Sequence, residues 1–118
     1  MSTDINDYIT KSNTTAWKAL VEEDVDTKGI SVKVLRYDEK QQRPPTFMLR
    51  FEPGASYPYH NHPGGEELLV LEGSCILEGT TLYAGDYLYT PAGFKHSVKS
   101  ETGCTLLFMV PEEVEIIS

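Results

Sequence analysis

Residues 54–100 read GASYPYHNHPGGEELLVLEGSCILEGTTLYAGDYLYTPAGFKHSVKS. Short apolar or alternating runs are cut here by Gly and Pro turns. Tyr57 to His62 is short and extended, and Pro63-Gly64-Gly65 then turns the chain. Glu67 to Leu71 is an apolar run ended by Gly73. Ser74 to Leu77 and Thr81 to Tyr83 flank a turn at Glu78-Gly79-Thr80. Gly85-Asp86 leads into Tyr87 to Thr90, Pro91-Ala92-Gly93 turns again, and Lys95 to Lys99 follows. Closely spaced short strands with such turns indicate an all-β sandwich or barrel.

The same pattern extends outward. Ile30, Val32 and Val34 alternate with Ser31, Lys33 and Leu35, and Phe47, Leu49 and Phe51 with Met48, Arg50 and Glu52. Both stretches predict strands. Arg43-Pro44-Pro45 breaks the chain between them, and Cys104 to Val110 supplies the last apolar run. Upstream, residues 1–28 read as an arm anchored by Trp17, Leu20 and Val21, with room for a short helix within 4–21. The expected organisation is an N-terminal arm, 1–28, and one barrel domain, 29–118. A chain of 118 residues fits one domain, and a domain this size buries roughly two-thirds of its unfolded surface.

Composition narrows the function classes. The net charge is −8, which repels a phosphate backbone, so no nucleic-acid partner is expected. Acid gathers at Glu22, Glu23, Asp24 and Asp26, and again at Glu112, Glu113 and Glu115, read as two solvated termini. Met1 to Thr10 has neither a basic leader nor an apolar run, and no stretch has the length of a membrane span. The expectation is a cytoplasmic protein with no membrane partner. Cys75 and Cys104 lie 29 positions apart, no zinc-ribbon or redox spacing, and read as buried small hydrophobes.

The chemistry sits on the three histidines, His60, His62 and His96. Strand side chains alternate, so His60 and His62 point to one side, about 6 to 7 Å apart at the backbone. Glu66 follows across the Pro63-Gly64-Gly65 turn and can offer its carboxylate to the same point. Glu67 is the neighbouring alternative. Glu66 shares parity with Leu68 and Val70, Glu67 with Leu69 and Leu71, so composition does not say which faces inward.

Spacing adds to this. Gly54, His60, His62, Glu66 and Gly73 form one series, and Gly85, Pro91, Gly93 and His96 a second. Together they resemble the two signature motifs of the cupin superfamily, with every gap matching. Nine positions agreeing by chance has a probability on the order of 10⁻¹² at ordinary residue usage. Ser100 stands where the second motif carries Asn, which puts a turn contact in doubt and leaves the ligand positions intact. The resemblance implies a cupin double-stranded β-helix, or jelly-roll barrel, with one metal ion held by His60, His62, Glu66 and His96.

Three imidazoles and one carboxylate suit a divalent transition metal, Fe, Zn, Mn, Ni or Cu. Calcium and magnesium prefer all-oxygen shells. An octahedral ion keeps two positions open, whereas tetrahedral Zn is closed by four protein ligands. The likeness is strongest to the cupin domains of ChrR-type zinc-binding anti-sigma factors and their stand-alone relatives, carried by the stretch from Phe47 to Gly73, which contains PGASYPYHNHPGGEELLVLEG. Those proteins hold the sigma factor with a separate N-terminal zinc domain. Residues 1–28 contain no Cys or His, so that activity is not carried over. The resemblance implies instead a metal-dependent dioxygenase acting on a diketone or hydroxyketone-like small molecule in the barrel, or a metal-holding sensor or ligand-binding module without turnover.

Lesser expectations complete the reading. Tyr83, Tyr87, Tyr89 and Phe94 belong to the core or line a pocket, whereas Tyr57 and Tyr59 have opposite parity to His60 and His62 and face away. Arg50 is an anion partner if its face is inward. A homodimer is expected, with the arm around Trp17 covering a neighbouring sheet edge. Metal is released below pH about 6, because imidazole must be neutral to bind.

Overall fold

The computed structural model describes residues 1–117. The arm opens with two single 3₁₀ turns, Ile5–Tyr8 and Ser12–Thr14, and no α-helix occurs among the described residues. Asp4 caps the first turn by accepting from the Asn6 backbone N–H. The polar composition of this stretch offers no apolar face on which a longer helix could pack.

Ten strands follow: β1 (Lys18–Ala19), β2 (Ile30–Asp38), β3 (Arg43–Phe51), β4 (Ser56–Asn61), β5 (Glu66–Leu77), β6 (Thr80–Tyr83), β7 (Tyr87–Thr90), β8 (Lys95–Lys99), β9 (Cys104–Met109) and β10 (Glu115–Ile116). They are antiparallel and run in the order β1-β2-β3-β9-β5-β8-β4-β10, with β6 and β7 also pairing β5. The sheet curls on itself, and its concave side holds the core of Leu49, Phe51, Leu68, Val70, Leu106 and Phe108. This is the all-β fold that the strand and turn pattern predicts, in the jelly-roll form that the resemblance implies.

Strand β5 departs from the reading at Gly73. That glycine was expected to end one strand and start a separation from Ser74–Leu77. Instead β5 is continuous. It pairs β9 from Glu67 to Gly73, then β6 from Ser74 to Leu77. Gly73 adopts φ +73°, and a Cβ there would meet the Gly103 carbonyl oxygen at 2.1 Å. Only glycine allows β5 to bend so close to the facing backbone and pass from one wall of the fold to the other.

Part of the arm packs on the sheet of its own chain. β1 pairs the edge of β2, and the Trp17 ring lies 4.7 Å from Lys33 Nζ and 4.5 Å from the Arg50 guanidinium carbon. Arg50 is exposed on the convex side, so the inward face that would make it an anion partner is not the one it takes. Leu20 packs on the core, but Val21 is 83% exposed and anchors nothing. Cys75 and Cys104 are both buried free thiols, as read, and they touch one another.

Candidate metal centre

β4 and β8 are antiparallel neighbours, and His60 on β4 lies directly opposite His96 on β8. His62 follows just past the end of β4. Its carbonyl accepts from the Gly65 and Gly93 N–H groups at 3.1 and 2.9 Å, which ties the two turns flanking the site together. Gly65 has φ +78°, and a Cβ there would approach the Thr90 carbonyl oxygen to 2.9 Å. The tight turn returns the chain at once, so Glu66 opens β5 opposite Thr90.

The three rings converge. Their centroids are 4.4 to 5.0 Å apart, and one nitrogen from each lies within 4.8 Å of the others. Glu66 reaches the same place, with one carboxylate oxygen 3.2 Å from His62 Nε2 and the other 3.5 Å from His96 Nε2. All four side chains are buried. Glu67, the sequence alternative, faces outward and accepts from the Tyr87 hydroxyl at 2.6 Å.

The donor set fits a metal ion. His60 Nδ1 lies 2.7 Å from the Pro58 carbonyl oxygen, and His62 Nδ1 lies 2.7 Å from that of Phe94. A carbonyl only accepts, so both Nδ1 atoms carry the proton. Each Nε2 lone pair is left facing the common point, the arrangement by which metal-binding histidines are fixed and aimed. His62 Nε2 and one Glu66 oxygen are buried without a hydrogen-bond partner. Such orphaned acceptors are costly unless a cation meets them. Ligand atoms each about 2.1 Å from one ion sit roughly 3 to 4 Å apart, which the cluster approaches. The three buried histidines can therefore hold a metal ion.

Electrostatics follow from burial and from Glu66. Burial drives the His60 pKa down to about 4, with the nearby His62 and His96 adding to it, against the pull of the Pro58 carbonyl and Glu66. Burial also pulls on His62, but the Glu66 carboxylate and the Phe94 carbonyl outweigh it and raise that pKa. Burial would raise Glu66, yet His62 and His96 hold it below the usual carboxylate range.

His60 and Glu66 form part of the wall of a cavity of about 250 Å³. The rest of the wall is largely apolar, with Phe47, Leu49, Phe51, Val98 and Phe108. Leu20 and Glu22 from the arm, and Glu113 and Val114 from the other chain end, also line it. Glu22 is thus half-buried and not part of a solvated terminus.

Tyr57 lines this cavity too, which overturns its assignment to the outside. Its ring stands edge-on to His60 at 5.0 Å and is only 7% exposed. The reason is a β-bulge. Tyr57 pairs Val98 and His60 pairs His96, so three steps on β4 match two on β8. The extra residue restores Tyr57 to the side of His60. Burial first, then the Glu22 carboxylate, push its phenol pKa up. Tyr59 does face away.

Tyr83, Tyr87, Tyr89 and Phe94 are all about half or more exposed, so the expected core packing of these rings is not what forms. Thr90 is a site residue that the sequence reading missed. It is 2% exposed, and its hydroxyl lies 3.4 Å from His96 Nε2. Its position immediately before Pro91, six residues from His96, was the available signal. Ser100, which departs from the motif, is fully buried and donates to the Ser74 carbonyl at 2.7 Å.

Comparison with known proteins places this geometry. Among solved structures, the chain superposes on an acetylacetone dioxygenase from Acinetobacter johnsonii with a TM-score of 0.79. Identity is 19%, over 94% of this chain and 77% of the other. It also superposes on the polyketide cyclase RemF from Streptomyces resistomycificus, with TM-score 0.72 and 20% identity over 92% and 84% of the two chains. A cupin-like protein of Thermotoga maritima gives TM-score 0.72 and 23% identity over 89% and 88%. These identities show the shared fold alone. In sequence, the chain is 36% identical over 77 residues to the DNA damage-repair/toleration protein DRT102 of Arabidopsis thaliana. That stretch is 60% of this chain, and the chain spans only 23% of that protein's length. Residues 6–113 match the ChrR Cupin-like domain family, arm included. The chain belongs to that family, within the cupin superfamily.

Proposed function

We propose that this chain is a metal-dependent dioxygenase that cleaves a C–C bond in a small diketone or hydroxyketone-like molecule. One observation carries the reading. Two members of the cluster of buried ligands, His60 and Glu66, line a largely apolar cavity of about 250 Å³, large enough for such a molecule. The acetylacetone dioxygenase among the structural neighbours supports the class and does not by itself decide it.

In this reading the four side chains hold one divalent metal, and iron would supply the reaction with dioxygen. The protein contributes binding, orientation and dryness. Phe47, Phe51, Val98 and Phe108 exclude water from the cavity, which strengthens every polar contact inside. Burial and the hydrogen bond to Glu22 keep the Tyr57 phenol protonated and fixed in the cavity wall. Pro58 and Phe94 hold His60 and His62 in the tautomer that offers Nε2.

The test is anaerobic loading with ferrous iron, then oxygen uptake over a panel of β-diketones and hydroxyketones. Uptake with carbon–carbon cleavage of one panel member supports the proposal. A second reading rests on the donor count, since four protein ligands close a tetrahedral zinc shell. A protein that purifies with zinc and stays silent across the panel is a metal-holding binding module.

A further inference from the structure

Two of the three clustered histidines have a fixed outer partner, and one has none. His60 Nδ1 and His62 Nδ1 each donate to a backbone carbonyl at 2.7 Å. His96 presents Nε2 to the cluster, 3.5 Å from a Glu66 oxygen, and the Thr90 hydroxyl lies 3.4 Å from that same nitrogen. Its other nitrogen, Nδ1, is buried with no hydrogen-bond partner. A neutral imidazole that gives Nε2 to a metal carries its proton on Nδ1, so this atom is a donor. A buried donor without an acceptor is costly. Metal-bound histidines almost always donate that N–H to a carboxylate, a carbonyl or a water.

A second cavity, of about 280 Å³, reaches the cluster through His96 and Thr90. Its wall is mostly apolar, with Leu77, Leu82, Leu88 and Phe94, and among the described residues Glu78 is its one carboxylate. Glu78 is already directed at β8. Ile76 on β5 pairs Lys99 on β8. Two residues further on the chain has left β5, and the Glu78 side chain continues the contact, accepting from the Ser97 N–H at 3.4 Å. Ser97 is the residue next to His96, and one carboxylate oxygen of Glu78 remains to accept from the ring.

The turn at this point adds a second observation. Glu78 and Gly79 have φ +48° and +77°, the two left-handed positions of a tight hairpin turn between β5 and β6. Asn, Asp and Gly are the usual residues at the first of these. Glutamate there runs against the preference, and backbone strain of this kind clusters where a side chain has a function. We propose that Glu78 is the positioning residue for His96: its carboxylate accepts from His96 Nδ1–H when a metal occupies the cluster. The inference rests on the reading of the cluster as a metal centre. It gives the third ring what the Pro58 and Phe94 carbonyls give the other two, with one difference, since this acceptor is charged. A carboxylate makes the stronger hydrogen bond and raises the basicity of the ring it holds, so His96 becomes the strongest donor of the three.

The test uses the full chain loaded with cobalt(II), whose unpaired electrons move the ring N–H protons of bound histidines away from the rest of the proton NMR spectrum. The shifted signals that disappear in D₂O are those N–H protons. Wild type is expected to show three of them and Glu78→Ala two, because an N–H without an acceptor exchanges with water. Glu78→Gln keeps an oxygen acceptor without the charge, and is expected to retain the third signal at a changed position. Cobalt affinity, by competition with a chromophoric chelator, is expected to fall by about 10- to 100-fold in Glu78→Ala and by less in Glu78→Gln. Glu78 is exposed, so both variants are expected to fold, which circular dichroism checks; if Glu78→Ala unfolds, Glu78→Gln decides. A cobalt-loaded wild type with only two such signals, a folded Glu78→Ala that keeps all three, or a Glu78→Gln in which none moves would each overturn the proposal and leave the metal centre standing. A wild type that takes up no cobalt overturns the reading of the cluster, and this inference with it.

Discussion

The two sides of β5 carry nearly the same residues and meet opposite fates. Inward stand Glu66, Leu68 and Val70, outward Glu67, Leu69 and Leu71. Glu66 is 4% exposed among three imidazoles, whereas Glu67 accepts from an exposed tyrosine. Residue type alone cannot separate the two sides. What separates them is what faces each one: β4 and β8 bring three rings to the inner carboxylate, and β7 brings a phenol to the outer one. The lesson is that a carboxylate's role is set by its neighbours across the sheet, and each side can be tested against the other.

The largest contrast lies in metal retention. His62→Ala is expected to lower metal affinity by more than about 100-fold, since losing a direct ligand exceeds the 10–100-fold cost of losing a ligand's partner. Tyr87→Ala, on the outside, leaves it unchanged, and elemental analysis of dialysed protein distinguishes the two. Next comes packing. Leu68→Ala is expected to cost about 2–5 kcal/mol, the usual range for a buried leucine. Leu69→Ala, on the outer side, costs under about 1 kcal/mol. Urea denaturation at low protein concentration measures both, and equal costs would break the distinction between the sides. Glu66→Gln, which keeps an oxygen donor but loses its charge, should weaken metal binding less than His62→Ala does, with Glu67→Gln within error of wild type.

The smallest effect is on pH dependence. Metal must displace the proton that His62 holds, and that pKa is raised. Affinity is therefore full above the raised pKa and falls about tenfold per pH unit below it. His60, held down to about 4, stays neutral through this range and adds nothing. One proton per metal should be released below that raised pKa and none above it, read by competition with a chromophoric chelator. A flat profile would remove His62 from the ligand set.

Much of the fold was legible because it is written locally. Turns at Pro63-Gly64-Gly65 and Pro91-Ala92-Gly93 and the runs between them fixed where strands begin and end. The three histidines were legible through their spacing, and the structure brings all three together with Glu66. What escaped was non-local. The bend of β5 at Gly73 depends on the Gly103 backbone, the place of Thr90 on its pairing with Glu66, and that of Trp17 on two cations from different strands. Tyr57 was misplaced because strict alternation was assumed through a stretch that does not alternate.

That irregularity in β4 has a wider consequence. The Pro58 carbonyl that fixes His60 belongs to the same bulge that turns Tyr57 inward. Upstream and downstream halves of the strand are therefore out of phase by one residue, and both depend on the length of the insert. Removing Tyr59 alone, with no change to any ligand, would flip one half over. Either the phenol would leave the cavity or the imidazole would leave the cluster. Chain length at this point is thus as much a determinant of the chemistry as the identity of the histidines.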